Sequence, residues 1–215
     1  MPGLAALQDA ARARHLSITA VLQGPRDDLP DGCQTLLMLS PDEPAFWPAF
    51  TDSPEYCDGA PDPMDRWSLR VITAWAAELD ARPVFPFGGP PFQPFIAWAL
   101  ASGFAASSPV GMMVHAQAGL YLSFRGALAM SVRVDAPAPP LSPCDSCADK
   151  PCLTACPVTA LGPGGYDVPA CKGYLVTDAG QDCMSRGCAA RRACPAGQDH
   201  GRLSSHSAFH MIHFL

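Results

Sequence analysis

Eight of the ten cysteines in this chain lie between Cys144 and Cys194, and only Cys33 and Cys57 stand outside that stretch. Such crowding dictates what this part of the chain can become. The pattern reads Cys144-x2-Cys147-x4-Cys152-x3-Cys156-Pro157, then Cys171-x11-Cys183-x4-Cys188-x5-Cys194-Pro195. Two sets of four, each closing on Cys-Pro, is the arrangement expected for two cubane iron–sulfur clusters. Thiolates suit soft iron–sulfur cores, and the cysteine before proline reaches across to the other cluster. On that logic one cluster takes Cys144, Cys147, Cys152 and Cys194, and the other takes Cys156, Cys171, Cys183 and Cys188. Proline after the fourth cysteine stops the local helix. Two zinc sites of four thiolates each would also use these residues. A disulfide framework would need an oxidising compartment. The double Cys-Pro ending favours clusters.

Upstream the chain is of another kind. It is 48% hydrophobic and 16% charged, the balance of a folding globular sequence. Apolar periodicity predicts a helix over 4–15, strands over 17–22 and 34–39, and a Pro-, Asp- and Gly-rich surface excursion over 41–63. A helix over 64–79 and a strand over 83–87 follow, then a helix over 93–102 and strands over 121–124 and 127–134. The expected class is α+β: an α/β N-terminal domain over 1–135, a Pro-rich linker over 136–143, a ferredoxin-like two-cluster domain over 144–199, and a tail over 200–215. A net charge of −6 argues against a basic nucleic-acid-binding face. No charge occurs from Pro83 to Val114, yet six prolines punctuate that run, and its apolar pieces fall short of the roughly 20 residues of a membrane span. No charged segment followed by an apolar run opens the sequence, so the expected compartment is the cytoplasm.

The order of the eight cysteines, with Cys171 alone in PACKGYL between the two Cys-Pro motifs, resembles the epoxyqueuosine reductase family, whose relatives include corrinoid-dependent reductive dehalogenases. LPDGCQTLLMLS and ASSPVGMMVHAQAGLYLSFRGALAM extend the likeness upstream. The resemblance implies an α/β domain holding a cobalamin and a ferredoxin-like domain that feeds it electrons. It also implies an acidic proton donor in the segment written here as VFPFGGPPFQP. That segment holds Phe87, Gly88 and Gly89, and no Asp or Glu occurs between Ala81 and Val134. A general acid must titrate within reach of its substrate; here only His115 and Tyr121 qualify.

Smaller constellations complete the reading. Phe87, Gly88, Gly89, His115 and Arg125 are the candidate cofactor-binding residues outside the cysteines. Phe85, Phe87, Phe92 and Phe95 read either as the floor of a pocket for a flat ring or as plain core. His115 reads as an acid or as a hydrogen-bonded structural residue, and Arg125 as an anion binder or half of a salt bridge. Val158, Leu161, Tyr166, Val168 and Leu175 are expected to shield the clusters from water. Arg186, Arg191 and Arg192 read either as counter-charges to a reduced cluster or as a solvated face. In the tail His206 and His210 share a helical face at i, i+4, close to His213, and suit either a metal or a packing surface.

The reading that emerges is an iron–sulfur protein that transfers single electrons between a redox partner protein or small-molecule acceptor and its donor. A corrinoid-dependent reductase and a zinc-bound interaction module are the alternatives. No catalytic residue is assigned.

Overall fold

The computed structural model describes residues 2–215 and is an α+β protein. Its helices are α1 (Leu4–Arg12), α2 (Phe46–Thr51), α3 (Pro54–Cys57), α4 (Pro63–Glu78), α5 (Phe95–Ala101), α6 (Pro143–Ser146), α7 (Val168–Leu175), α8 (Gln181–Arg186), α9 (Ala189–Arg192) and α10 (Ser204–Phe214). Its strands are β1 (Leu16–Gln23), β2 (Thr35–Pro41), β3 (Arg82–Val84), β4 (Ala105–Ser107), β5 (Met113–His115), β6 (Gly126–Met130), β7 (Leu161–Gly162) and β8 (Gly165–Tyr166). Among the described residues no helix is long and apolar enough to cross a membrane.

The chain divides into two compact units. The first comprises residues 1–104 and 123–139, and it is built on one four-stranded sheet ordered β1-β2-β6-β3. All its pairings are antiparallel, so the parallel crossovers of an α/β domain are absent from this sheet. The central strands β2 and β6 are buried along their whole lengths. That explains their unbroken apolar runs, because a strand covered on both faces has no solvent side on which to alternate. Proline 83 falls on the outer strand β3, where its missing N–H costs least. Helix α4 packs against β3 and β6, and Gly126 permits the close approach: a Cβ there would lie 2.7 Å from Ile72 Cδ1. After β6 the chain is tied back by Thr35, whose hydroxyl accepts from the Val134 N–H at 2.9 Å.

The polar 41–63 segment is not the surface excursion its composition predicts. Phe46 and Phe50 are fully buried and stack at 5.7 Å, and Trp67 of α4 meets Phe46 edge-on at 5.1 Å. The buried rings of Phe46, Trp47 and Phe50 outweighed the turn-forming residues around them, because each buries far more apolar area than a turn residue exposes. Glu55 lies in the same segment, buried, with Arg70 donating to both carboxylate oxygens, one of the bonds at 3.0 Å.

The second unit comprises residues 105–122 and 140–215. It therefore takes in a segment that the sequence reading gave to the N-terminal domain, and also the tail. The reason is packing. Val110, Val114 and Leu120, from the β4–β5 hairpin and the turn after it, share one apolar cluster with Cys152, Leu161, Ala190 and Cys194. The tail helix α10 packs on α8, tightly enough that a Cβ on Gly187 would lie 2.6 Å from that of Ser207. Regular structure is sparse here: β7 and β8 are two residues each, and α6 and α9 four.

Two measurements test the first unit. Phe50→Ala is expected to cost about 3–5 kcal/mol in urea unfolding, the usual penalty for emptying a buried phenylalanine site. The bond from Arg70 holds the Glu55 carboxyl below the ordinary carboxylate range. Its stabilisation is therefore complete above the unfolded pKa of about 4.3 and is lost as pH falls through the depressed folded value. Glu55→Gln should accordingly flatten the acid limb of the stability curve below about pH 4.

Candidate metal centre

The first four thiols are gathered from three short turns and the end of a helix. Ser142 caps α6, its hydroxyl accepting from the Cys144 N–H at 3.3 Å, so Cys144 sits in the first turn of that helix. Cys147 follows at the helix end in extended conformation. Cys152 lies in the 3-10 turn Pro151–Leu153, and Cys194 leads from α9 into the turn Pro195–Gly197. All four line one cavity of about 620 Å³, whose wall also includes Ser108, Val114 and Leu120. Cys152 and Cys194 are buried, while Cys144 and Cys147 are half-buried. Burial pushes the Cys144 thiol up, and the charges of Cys194, Cys152 and Cys147 push it further. Cys152 responds in the same way, first to burial and then to Cys194 and Cys147.

The second four meet elsewhere in the unit. The Cys156 sulfur accepts from the Ala160 N–H at 3.3 Å. Cys171 rides on α7, which starts where Asp167 accepts from the Ala170 N–H at 2.9 Å. Cys183 is buried on α8, and Cys188 immediately precedes α9. Burial pushes the Cys171 thiol up, the Tyr166 hydroxyl counters by hydrogen bonding, and Cys188, Cys156 and Cys183 push up again. Cysteines that lie far apart in sequence thus act on one another electrostatically: Cys194, Cys152 and Cys147 on Cys144, and Cys188, Cys156 and Cys183 on Cys171.

The arginines separate by role. Arg186 bonds to Asp182 at 3.1 Å, and Arg192 bonds to the other oxygen of the same carboxylate, so both are engaged at the surface. Arg191 pairs with no carboxylate among the described residues. Its Nη1 donates to the Leu120 carbonyl. Burial lowers its pKa, opposed by Cys188, Tyr121 and Tyr166. A desolvated guanidinium of this kind calls for an anion nearby.

Residues the sequence reading singled out elsewhere have other tasks. Phe87 packs against Phe85 at 5.1 Å. Gly88 has open space around it, and Gly89 makes room for the Phe92 ring, which a Cβ would approach to 2.8 Å. Arg125 is ion-paired with Asp65 at 3.4 Å. His115 belongs to the second unit, where its Nδ1 accepts from the Gln117 and Ala118 N–H groups and closes a tight turn. His206 is fully buried with its Nε2 3.1 Å from that of His210, and His213 bonds to the Phe209 carbonyl. Among the described residues no three His, Cys, Asp or Glu side chains stand close enough to hold a single metal ion. Of the expected shielding residues, Leu161 and Leu175 are buried and Tyr166 is exposed. From residues 108–120, Ser108, Pro109, Val114 and Leu120 wall the first cavity, and none of these four carries a charge or a metal-ligating group to mark it.

Gly119 holds that wall in place. It has φ +53°, and a Cβ there would lie 2.5 Å from the Gly197 nitrogen and 3.1 Å from Cys194 Sγ. Gly119→Ala is expected to destabilise the second unit by on the order of 3 kcal/mol, from left-handed strain plus backbone overlap. Thermal melting would measure the loss, and faster alkylation of Cys194 would locate it. In comparisons with known proteins, the chain matches no family model, no curated protein and no solved structure.

Proposed function

We propose that the two sets of thiols hold two [4Fe-4S] clusters, and that the protein transfers single electrons between a donor and an acceptor. The observation that carries this reading is the gathering of Cys144, Cys147, Cys152 and Cys194 around one cavity of about 620 Å³. That space is many times the roughly 30 Å³ share of a water molecule. Four thiols spread around such a volume suit a polynuclear core better than one tetrahedral zinc, whose sulfurs must converge to about 2.3 Å from a single point.

The residues fit the group in charge as well as in space. Cys144, Cys147, Cys152 and Cys194 would hold one cluster, and Cys156, Cys171, Cys183 and Cys188 the other. Such a cluster, when bound, takes up and releases one electron at a potential set by its surroundings. Val114 and Leu120 exclude water from the first site. At the second, the Ala160 N–H donates to the Cys156 sulfur, and the positive charge of Arg191 acts on Cys188. Each of these favours the thiolate over the thiol and moderates the negative charge that reduction adds.

The reductase alternative gains nothing from the first unit. Arg125, the candidate anion binder, is engaged with Asp65, and Gly88 and Gly89 supply no group able to donate a proton.

Anaerobically purified protein is expected to contain about eight irons and eight acid-labile sulfides per chain, the load of two cubanes. Dithionite reduction should give an EPR signal from two interacting paramagnets. Two zincs and no sulfide would overturn the reading. Because so little regular structure organises the second unit, stripping the clusters should abolish its thermal transition and leave that of the first unit in place. Differential scanning calorimetry before and after chelation under oxidising conditions would show this.

A further inference from the structure

Ser108 is the most informative polar residue outside the cysteines. It is 7% exposed, and its hydroxyl has no hydrogen-bond partner. It lines the same cavity as Cys144, Cys147, Cys152 and Cys194. Its backbone is fixed by the turn between β4 and β5, where its N–H donates to the Met112 carbonyl at 2.9 Å and its carbonyl accepts from the Gly111 N–H at 3.0 Å. That turn leads straight into the apolar cluster that contains Cys152 and Cys194. A buried hydroxyl without a partner has lost its hydration for nothing in return, and an alanine would fill the same space at no such cost.

We propose that Ser108 is a positioning residue for the first cysteine set, its hydroxyl donating a hydrogen bond to a sulfur of the group held in that cavity. The inference rests on the cluster reading and extends it. A hydroxyl donor to cluster sulfur stabilises the charge added on reduction, so it raises the midpoint potential of that cluster alone. Ser108 thereby makes one centre easier to reduce, and the segment 105–122, which supplies no ligand, sets the redox behaviour of the ligands it walls in. Threonine carries the same donor and alanine does not, so the two variants separate hydrogen bonding from packing.

The test is an EPR-monitored redox titration of anaerobically purified wild-type protein, Ser108→Ala and Ser108→Thr, each with iron and sulfide measured. In Ser108→Ala one of the two midpoint potentials is expected to fall by the equivalent of a tenfold weaker reduction, about 59 mV for one electron. The other potential should hold, and Ser108→Thr should bring the first back towards the wild-type value. The metal-free Ser108→Ala protein should melt at or above the wild-type temperature, since it has lost only an unsatisfied hydroxyl. Unchanged potentials in a fully loaded Ser108→Ala protein would overturn the proposal and leave the cluster reading intact. Equal shifts at both centres, or a shift that threonine does not reverse, would mean general loosening and would also overturn it. Wild-type protein without iron and sulfide would bring down the underlying reading first, and Ser108's role with it.

Discussion

Everything in the second unit follows from the cost of burying thiols. Burial pushes the Cys144, Cys152 and Cys171 thiols up, towards the neutral form, whereas a cysteine that is to serve as a metal ligand has to be deprotonated. Within each set, the charge of one thiolate raises the next. The surrounding architecture offers little help, since two-residue strands and four-residue helices would not organise this stretch by themselves. The Ala160 N–H donates to the Cys156 sulfur, Val114 and Leu120 are buried beside the first four thiols, and the Arg191 guanidinium pairs with no carboxylate among the described residues.

Three arginines close together in sequence show how geometry decides between equivalent readings. Arg186 and Arg192 share Asp182 and form an exposed ion-pair group of small energetic weight. Arg191 differs from its neighbour only by one position on α9, a rotation of about 100° on a helix. That rotation turns it away from the surface carboxylate and towards the Leu120 carbonyl and Cys188.

Much of this was legible in the sequence, and unevenly so. The helices 4–12 and 63–78 and the central strands were readable from apolar spacing. The 41–63 segment misled because its Pro, Asp and Gly residues outnumber Phe46, Trp47 and Phe50, although the aromatic rings carry the burial. Residues 121–124 alternate like a strand but lie outside the sheet. Ser108 and Gly119 could not have been found at all. One matters for a hydroxyl left without a partner and the other for a missing Cβ, and both properties exist only once distant turns have met.

The chain passes between its two units three times, at 104/105, 122/123 and 139/140. The wall of the first cysteine cavity is thus encoded inside the sequence of the other unit, between α5 and β6. The cysteine region is therefore no detachable cassette. A fragment cut at the proline-rich stretch would carry all eight of these cysteines and none of the hairpin that packs on Cys152 and Cys194. A recombination breakpoint before residue 140 separates the cysteines from the segment 105–122 that helps wall their cavity.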